Sequence, residues 1–208
     1  MANSTAKENI LNKIKQALDH PVPLPFVLNG QEAPLYEVHS EELEIIFAEN
    51  FTKLQGKFIF CADEKELHSQ LQQLISSKEW MKIYCNENEW NGLYSNTINL
   101  ESCDASITGC ECLVARTGTI VMSAAQQSGR TVSVYAPIHI CIAYTNQLVY
   151  DIKDALQLVK EKYTTFPSLI TFASGPSRTA DIEKTLVTGV HGPKEVYLFL
   201  VDTSMINL

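Results

Sequence analysis

Three short segments carry residue types that do chemistry, at spacings that core building alone does not require. The first is Ala115–Val121 (ARTGTIV), where Gly118 stands between Thr117 and Thr119 ahead of an apolar run, with Arg116 beside them. Hydroxyls and a permissive backbone are presented at a strand start, although a tight turn whose threonines bond their own backbone would carry the same residues. The second is Ser174–Glu183 (SGPSRTADIE). Its contents suit an anion: Gly175 permits close backbone approach, Ser177 and Thr179 offer hydroxyls, and Arg178 offers a planar fork of donors. It follows the apolar stretch SLITFA and is expected to open a helix, the place where open α/β sheets bind ligands and helix N–H groups are free. Asp181 would cap that helix, orient Arg178 or take a substrate hydroxyl; an ordinary capped helix start is the plainer alternative. The third is Gly189–Pro193 (GVHGP), in which two glycines and a proline hold His191 on a stiff loop. Histidine is the side chain best placed for proton transfer near neutral pH, and a surface or packing role is its competing reading.

Several signatures are missing from the sequence. No GxxxxGK[ST] loop occurs, no GxGxxG follows the first strand, and neither GxSxG nor HExxH is found. Cysteines lie at positions 61, 85, 103, 110, 112 and 141. Without a CxxC pair the group Cys103, Cys110 and Cys112 does not have the spacing of a zinc or iron–sulfur set, so structural thiols are expected and no metal site is assigned.

The elements that must hold these segments follow from periodicity. Thr5 and Glu8 have capping-box spacing ahead of Ile10, Leu11, Ile14 and Leu18, which predicts a helix over 6–18. Pro21, Pro23 and Pro25 then impose an extended arm over 20–37. A second helix from Ser40 places Leu43, Ile46, Phe47 and Phe51 on one face. KFIFCA (57–62), a helix opened by Asp63 and Glu66, and MKIYC (81–85) form a strand–helix–strand unit of the parallel kind. Residues 86–106 have no clear assignment. Strands are expected at 119–123, 131–135, 139–144, 168–173 and 195–202, with helices at 151–163 and 181–188. The sum is an α/β domain over 55–208 with a mixed sheet, preceded by an N-terminal helical extension and Pro-rich arm over 1–54.

Composition narrows the class. Of 208 residues, 45% are hydrophobic and 19% charged, which excludes an intrinsically disordered chain. Sixteen Lys and Arg against 24 Asp and Glu give a net charge of −8, so nucleic acid is not an expected partner, while a local cationic pocket remains compatible with it. No apolar run reaches the length of a membrane span, and the first residues lack the pattern of a signal peptide, so a cytoplasmic location is expected.

ARTGTIV at 115–121, SGPSRTADIEKTLVTGVHGP at 174–193 and EVYLFLV at 195–201, in that order, resemble the LUD-domain family of the lactate utilization protein C (YkgG) type. The 20-residue stretch from Ser174 is long enough to be specific. The resemblance extends over roughly residues 55–201 and is loose upstream. It implies a Rossmann-like three-layer α/β fold like that of sugar-phosphate isomerases and CoA transferases. It also implies a part in oxidising L-lactate to pyruvate within a three-protein system whose other members are iron–sulfur proteins. No cofactor is then expected in this chain; the clusters belong to the partners. The matching positions are Thr117, Gly118, Thr119, Gly175, Ser177, Arg178, Thr179, Asp181, His191 and Gly192. From their chemistry, Arg178 would pair with a lactate or pyruvate carboxylate, the hydroxyls would orient it, and His191 or Asp181 would move a proton. Two other classes compete: a stand-alone enzyme on a sugar-phosphate or acyl-CoA substrate, with Glu111 as nearest carboxylate nucleophile, and a non-catalytic scaffold.

Overall fold

The computed structural model describes residues 6–19, 42–90, 92–94, 97–182 and 185–203. The chain divides into two units, 1–40 and 41–208. In the first, α1 (Ala6–Asp19) leaves Ile10, Leu11 and Ile14 exposed. Thr5 and the expected arm over 20–37 lie outside the described residues.

The second unit begins ahead of α2 (Leu43–Lys53), so this helix, grouped by sequence with the 1–54 lead-in, is part of the body. Its Phe47 and Phe51 are fully buried and stacked at 5.4 Å. The expected strand–helix–strand unit appears as β1 (Lys57–Cys61), α3 (Glu64–Ser77) and β2 (Ile83–Cys85). Asp63 caps α3 by accepting from the Glu66 N–H at 2.8 Å, and the Glu66 carboxylate accepts from the Ala62 N–H at 2.8 Å.

There follow β3 (Ala105–Thr108), β4 (Cys112–Val114), β5 (Thr119–Ser123), α4 (Val132–Tyr135), β6 (Ile138–Tyr144), β7 (Leu148–Val149), α5 (Ile152–Lys162), β8 (Ile170–Ala173), β9 (Arg178–Ile182), β10 (Thr185–Thr188) and β11 (Glu195–Val201). The α/β class therefore holds, with a wholly parallel sheet beside a mixed one. One sheet, in the order β1-β11-β6-β3-β2, is parallel throughout. A second, β7-β4-β5-β8, is mixed: β5 runs antiparallel to β4 and β8, and β7 runs parallel to β4. The parallel sheet is covered on both faces, as its near-continuous apolar strands require. Ile140, Ile142, Tyr197 and Phe199 pack with Leu67 and Leu71 of α3 on one side. Cys141, Ala143, Leu198 and Leu200 pack on the other with Phe47 and Phe51 of α2 and Leu113, Ile120 and Met122 of the second sheet. The second sheet's outer face meets Ala155 of α5 through Cys112, Val114 and Val121.

Two expectations are corrected. Residues 131–135, expected as a strand, form the helical turn α4: the Thr131 carbonyl accepts from the N–H groups of Val134 and Tyr135, and Ser106 Oγ donates to the Val132 carbonyl at 2.8 Å. Tertiary anchoring overrides the β propensity of TVSVY. Of the stretch 181–188 expected as a helix, residues 181–182 and 185–188 belong to the antiparallel pair β9–β10, which matches Thr179 with Val187 and Arg178 with Thr188; residues 183 and 184 lie outside the described residues. Threonine and valine at alternate positions favour that pleat over a helix.

Candidate functional site

The β9–β10 pair changes the physical basis of the anion argument. Among the described residues no helix begins after Ser174, and β8 belongs to the second sheet, so the carboxyl-end rule for parallel sheets does not place a ligand there. The three chemical segments nevertheless converge. The Ser177 N–H donates to the Pro193 carbonyl at 2.9 Å, and the Ser177 carbonyl accepts from the Gly189 N–H at 3.0 Å, which clamps the 174–177 loop to the 189–193 loop. The Lys194 N–H in turn donates to the Pro137 carbonyl at 2.7 Å, tying both to the turn between α4 and β6. Hydroxyls link the first segment: Thr117 Oγ1 lies 2.8 Å from Thr119 Oγ1, which lies 2.6 Å from Ser174 Oγ.

These loops enclose a cavity of about 320 Å³, whose polar lining includes Ser133, His139, Ser174, Ser177 and His191. A neighbouring cavity of about 460 Å³ shares Val134, His191 and Gly192 with it and adds Tyr135 and Lys194. Both open at the amino-terminal ends of β6 and β11, where His139 and Val196 are the second residues of their strands. Lys194 makes no ion pair among the described residues. The carboxylate of the adjacent Glu195 is already engaged by Lys57 and by Tyr197 at 2.7 Å, and the Lys57 contact holds it below its usual range. A positive charge is thus available at the cavity mouth.

The residues named from sequence divide into two groups. Gly175, Ser177, His191 and Gly192 line the cavity, and Thr119 reaches it through Ser174. Gly118 and Arg178 instead face the carboxyl end of α2. Gly118 has φ +56°, and a Cβ there would stand 2.4 Å from the Phe51 nitrogen. Asn50 Nδ2 donates to the carbonyls of Ala115 and Arg116, each at 3.1 Å, and Arg178 Nη2 donates to the Leu54 carbonyl. A Cβ at Gly175, φ +81°, would meet that same carbonyl oxygen at 2.3 Å. Arg116 pairs with Asp151 at 2.7 Å. Thr179 lies in β9, as does Asp181, whose side chain lies outside the described parts.

Sequence reasoning passed over His139, Ser133, Tyr135 and Lys194. His139 sits inside an apolar strand, Ser133 and Tyr135 were read as strand residues, and Lys194 directly follows the GVHGP motif, which was the available signal. His139 is fully buried, with Nε2 2.8 Å from Thr108 Oγ1, and burial lowers its pKa from 6.5 to about 4. The unfolded chain therefore takes up a proton that the folded one refuses as pH falls from 6.5 to about 4. Stability is highest above this window and should decline across it by ~1.4 kcal/mol per pH unit. Urea unfolding at several pH values should show that slope in the native protein and a flatter one in His139→Gln.

Glu111, the carboxylate considered for acyl transfer, is wholly buried. It accepts from Ser123 Oγ at 2.5 Å, Lys162 Nζ at 2.7 Å and Tyr163 OH at 2.8 Å. All six cysteines are free and buried, and the described residues contain no group of three or more His, Cys, Asp or Glu placed to hold a metal ion. Among the described residues no helix is long and apolar enough to cross a membrane.

Fold and site together define an α/β protein with paired sheets and a small polar cavity at the amino ends of its central strands. The chain belongs to the LUD domain family, which matches residues 92–201. An uncharacterized protein of Neisseria meningitidis serogroup B is 26% identical over 95% of this chain and 94% of its own length. Lactate utilization protein C of Bacillus velezensis is 32% identical, over 72% of this chain and 64% of its own length. The same-named protein of Bacillus subtilis is 28% identical, over 81% and 72%. A solved DUF162 family protein from Deinococcus radiodurans shares the fold with a TM-score of 0.59 at 17% identity, covering 79% of this chain and 99% of that one.

Proposed function

We propose that this chain is a component of an L-lactate utilization system, in which it binds a small carboxylate, lactate or pyruvate, in the cavity between the 174–177 and 189–194 loops. The names of the Bacillus relatives support lactate as the acid. The observation that carries the carboxylate reading is the convergence on adjoining cavities of Ser174, Ser177, His191 and Lys194, which forms no ion pair among the described residues. In this reading Lys194 supplies the charge recognition first assigned to Arg178, whose guanidinium serves the end of α2. Serine hydroxyls orient the acid. His191, exposed at the junction of the two cavities, exchanges the proton that the lactate hydroxyl loses, with Asp181 as the second proton-handling candidate. Conversion of lactate to pyruvate releases two electrons and two protons; iron–sulfur partner proteins receive the electrons.

Binding is tested by thermal shift with L-lactate and with pyruvate. Lys194→Ala should weaken pyruvate binding about tenfold or more, the usual consequence of removing a charged hydrogen bond. Arg178→Ala should lower the melting temperature modestly while keeping the ligand-induced rise. The reverse pattern would return the carboxylate to Arg178. The step is tested by lactate-dependent dye reduction. Reduction should need the iron–sulfur partners, and His191→Ala should slow it roughly a hundredfold, the scale of a lost general base. Full turnover in that variant would remove the proton role.

A further inference from the structure

One buried group in the cavity wall has no part in the scheme above. His139 Nε2 is paired with Thr108 Oγ1 on the adjoining strand β3. Among the described residues this ring makes no other hydrogen bond and no fully buried side-chain nitrogen lacks a partner; His139 lines the cavity, so Nδ1 is the ring nitrogen left to meet a ligand there. The tautomer follows from the hydroxyl. Thr108 has one proton to give: Nε2 stands at 2.8 Å, whereas Met122 Sδ, towards which the hydroxyl can also donate, stands at 4.0 Å and is a weak acceptor. The proton therefore goes to Nε2, and the ring carries its own hydrogen on Nδ1.

We infer that His139 is a ligand-binding residue: Thr108 fixes it as the Nδ1–H tautomer, and it donates a neutral hydrogen bond to the 2-hydroxy or 2-oxo oxygen of the bound acid. The proposal rests on the carboxylate reading and sharpens it. At its 2-position a 2-hydroxy or 2-oxo acid presents an acceptor to Nδ1–H, whereas the ammonium at the same position of a 2-amino acid presents donors only. Burial keeps the ring neutral well below neutral pH, so this contact holds when an exposed imidazole would ionise. Among the described lining residues of this cavity, His191 is the other titratable side chain.

Two-bond ¹H–¹⁵N correlation on the full chain with ¹⁵N-labelled histidine reads the tautomer directly. The His139 signals should show Nδ1–H and bare Nε2 from about pH 5 to 8, the range in which free imidazole titrates. Thr108→Val should shift the ring towards a mixture of tautomers. An Nε2–H pattern, or a protonated ring near neutrality, overturns the assignment. Pyruvate should then move the His139 Nδ1–H resonance, and alanine should not. Movement of His191 alone overturns the binding role of His139 while leaving the carboxylate reading intact; movement of neither histidine overturns both. As a second readout, His139→Leu should weaken pyruvate about tenfold, with His139→Gln, which keeps a donor, closer to the native value. Equal affinity in the leucine variant contradicts the proposal.

Discussion

Gly118→Ala should lower the melting temperature by on the order of 10 °C, at ~2–4 °C per kcal/mol for a chain of this size. Two costs combine. The backbone at φ +56° is a left-handed conformation that costs alanine about 1 kcal/mol or more. The added Cβ would also stand 2.4 Å from the Phe51 nitrogen and 2.6 Å from the Asn50 carbonyl carbon. These are backbone atoms of a helix whose Phe47 and Phe51 are locked in the core, so no side-chain rotation relieves the overlap. Overpacking of this kind costs roughly 1–3 kcal/mol. The helix must withdraw, stretching the bonds from Asn50 to the Ala115 and Arg116 carbonyls. Two other glycines separate the contributions. Gly129 has φ +61° with open space around it, so Gly129→Ala reports the conformational cost alone. Gly92 has neither a positive φ nor a neighbour within 4 Å, and Gly92→Ala should be close to neutral. Equal melting temperatures for all three would contradict the clamp.

Glu111→Ala is expected to destabilise by roughly 2–4 kcal/mol, combining lost charge-assisted bonds with donors left behind. The carboxylate is wholly enclosed and joins β5, through Ser123, to the end of α5 and the residue after it, through Lys162 and Tyr163. Burial opposes charging of Lys162, yet its hydrogen bond to Glu111 and their mutual attraction outweigh this and raise its pKa. Burial and then the same carboxylate raise that of Tyr163. Lys162 is half-exposed and turns to water when its partner is removed, which sets the upper end of the expected loss. Lys162→Met leaves the anion inside with two hydroxyls and no cation, and should cost as much or more. Urea unfolding checks both. Glu111→Gln, which keeps the shape, should retain pyruvate binding; its loss would draw Glu111 back into the site.

Much of the frame was legible where one physical signal dominates. HICIAY and EVYLFLV are apolar runs buried on both faces, KFIFC is a half-buried apolar run at the sheet edge, and Asp63 with Glu66 is a helix start written in four residues. Two of the shorter strands, one in each sheet, were harder to read. Ala105–Thr108 and Cys112–Val114 are buried throughout, too short to show a period, and parted by glycine and cysteine. The strands β9 and β10 were mistaken for a helix because Asp181, with the charged residues that follow it in the sequence, also suits a helix start. At the site, the loops carrying Ser177 and His191 were found because glycine and proline mark rigid loops. The reason for Gly118 could not be found, since its neighbour is the backbone of α2, 67 residues earlier from Phe51. Arg178 carries the same lesson: its fork suits an anion, yet its observed partner is the Leu54 carbonyl, 124 residues away. His139 was hidden by its own burial in an apolar strand.

The position of the cavity is the central claim, because the parallel sheet also offers a groove on its opposite side. That groove is lined by Glu42, Glu44, Ile45, Phe60, Thr145 and Asp202, and its three carboxylates repel an acid. Amide ¹H–¹⁵N spectra recorded while pyruvate is added distinguish the two ends of the sheet. Saturable shifts should gather on Ser174, Gly175, Ser177, Gly189, Gly192 and Lys194, with Thr145 and Asp202 unmoved. Shifts centred on Thr145 and Asp202, or no saturable shift at the 174–177 and 189–194 loops, would contradict the account.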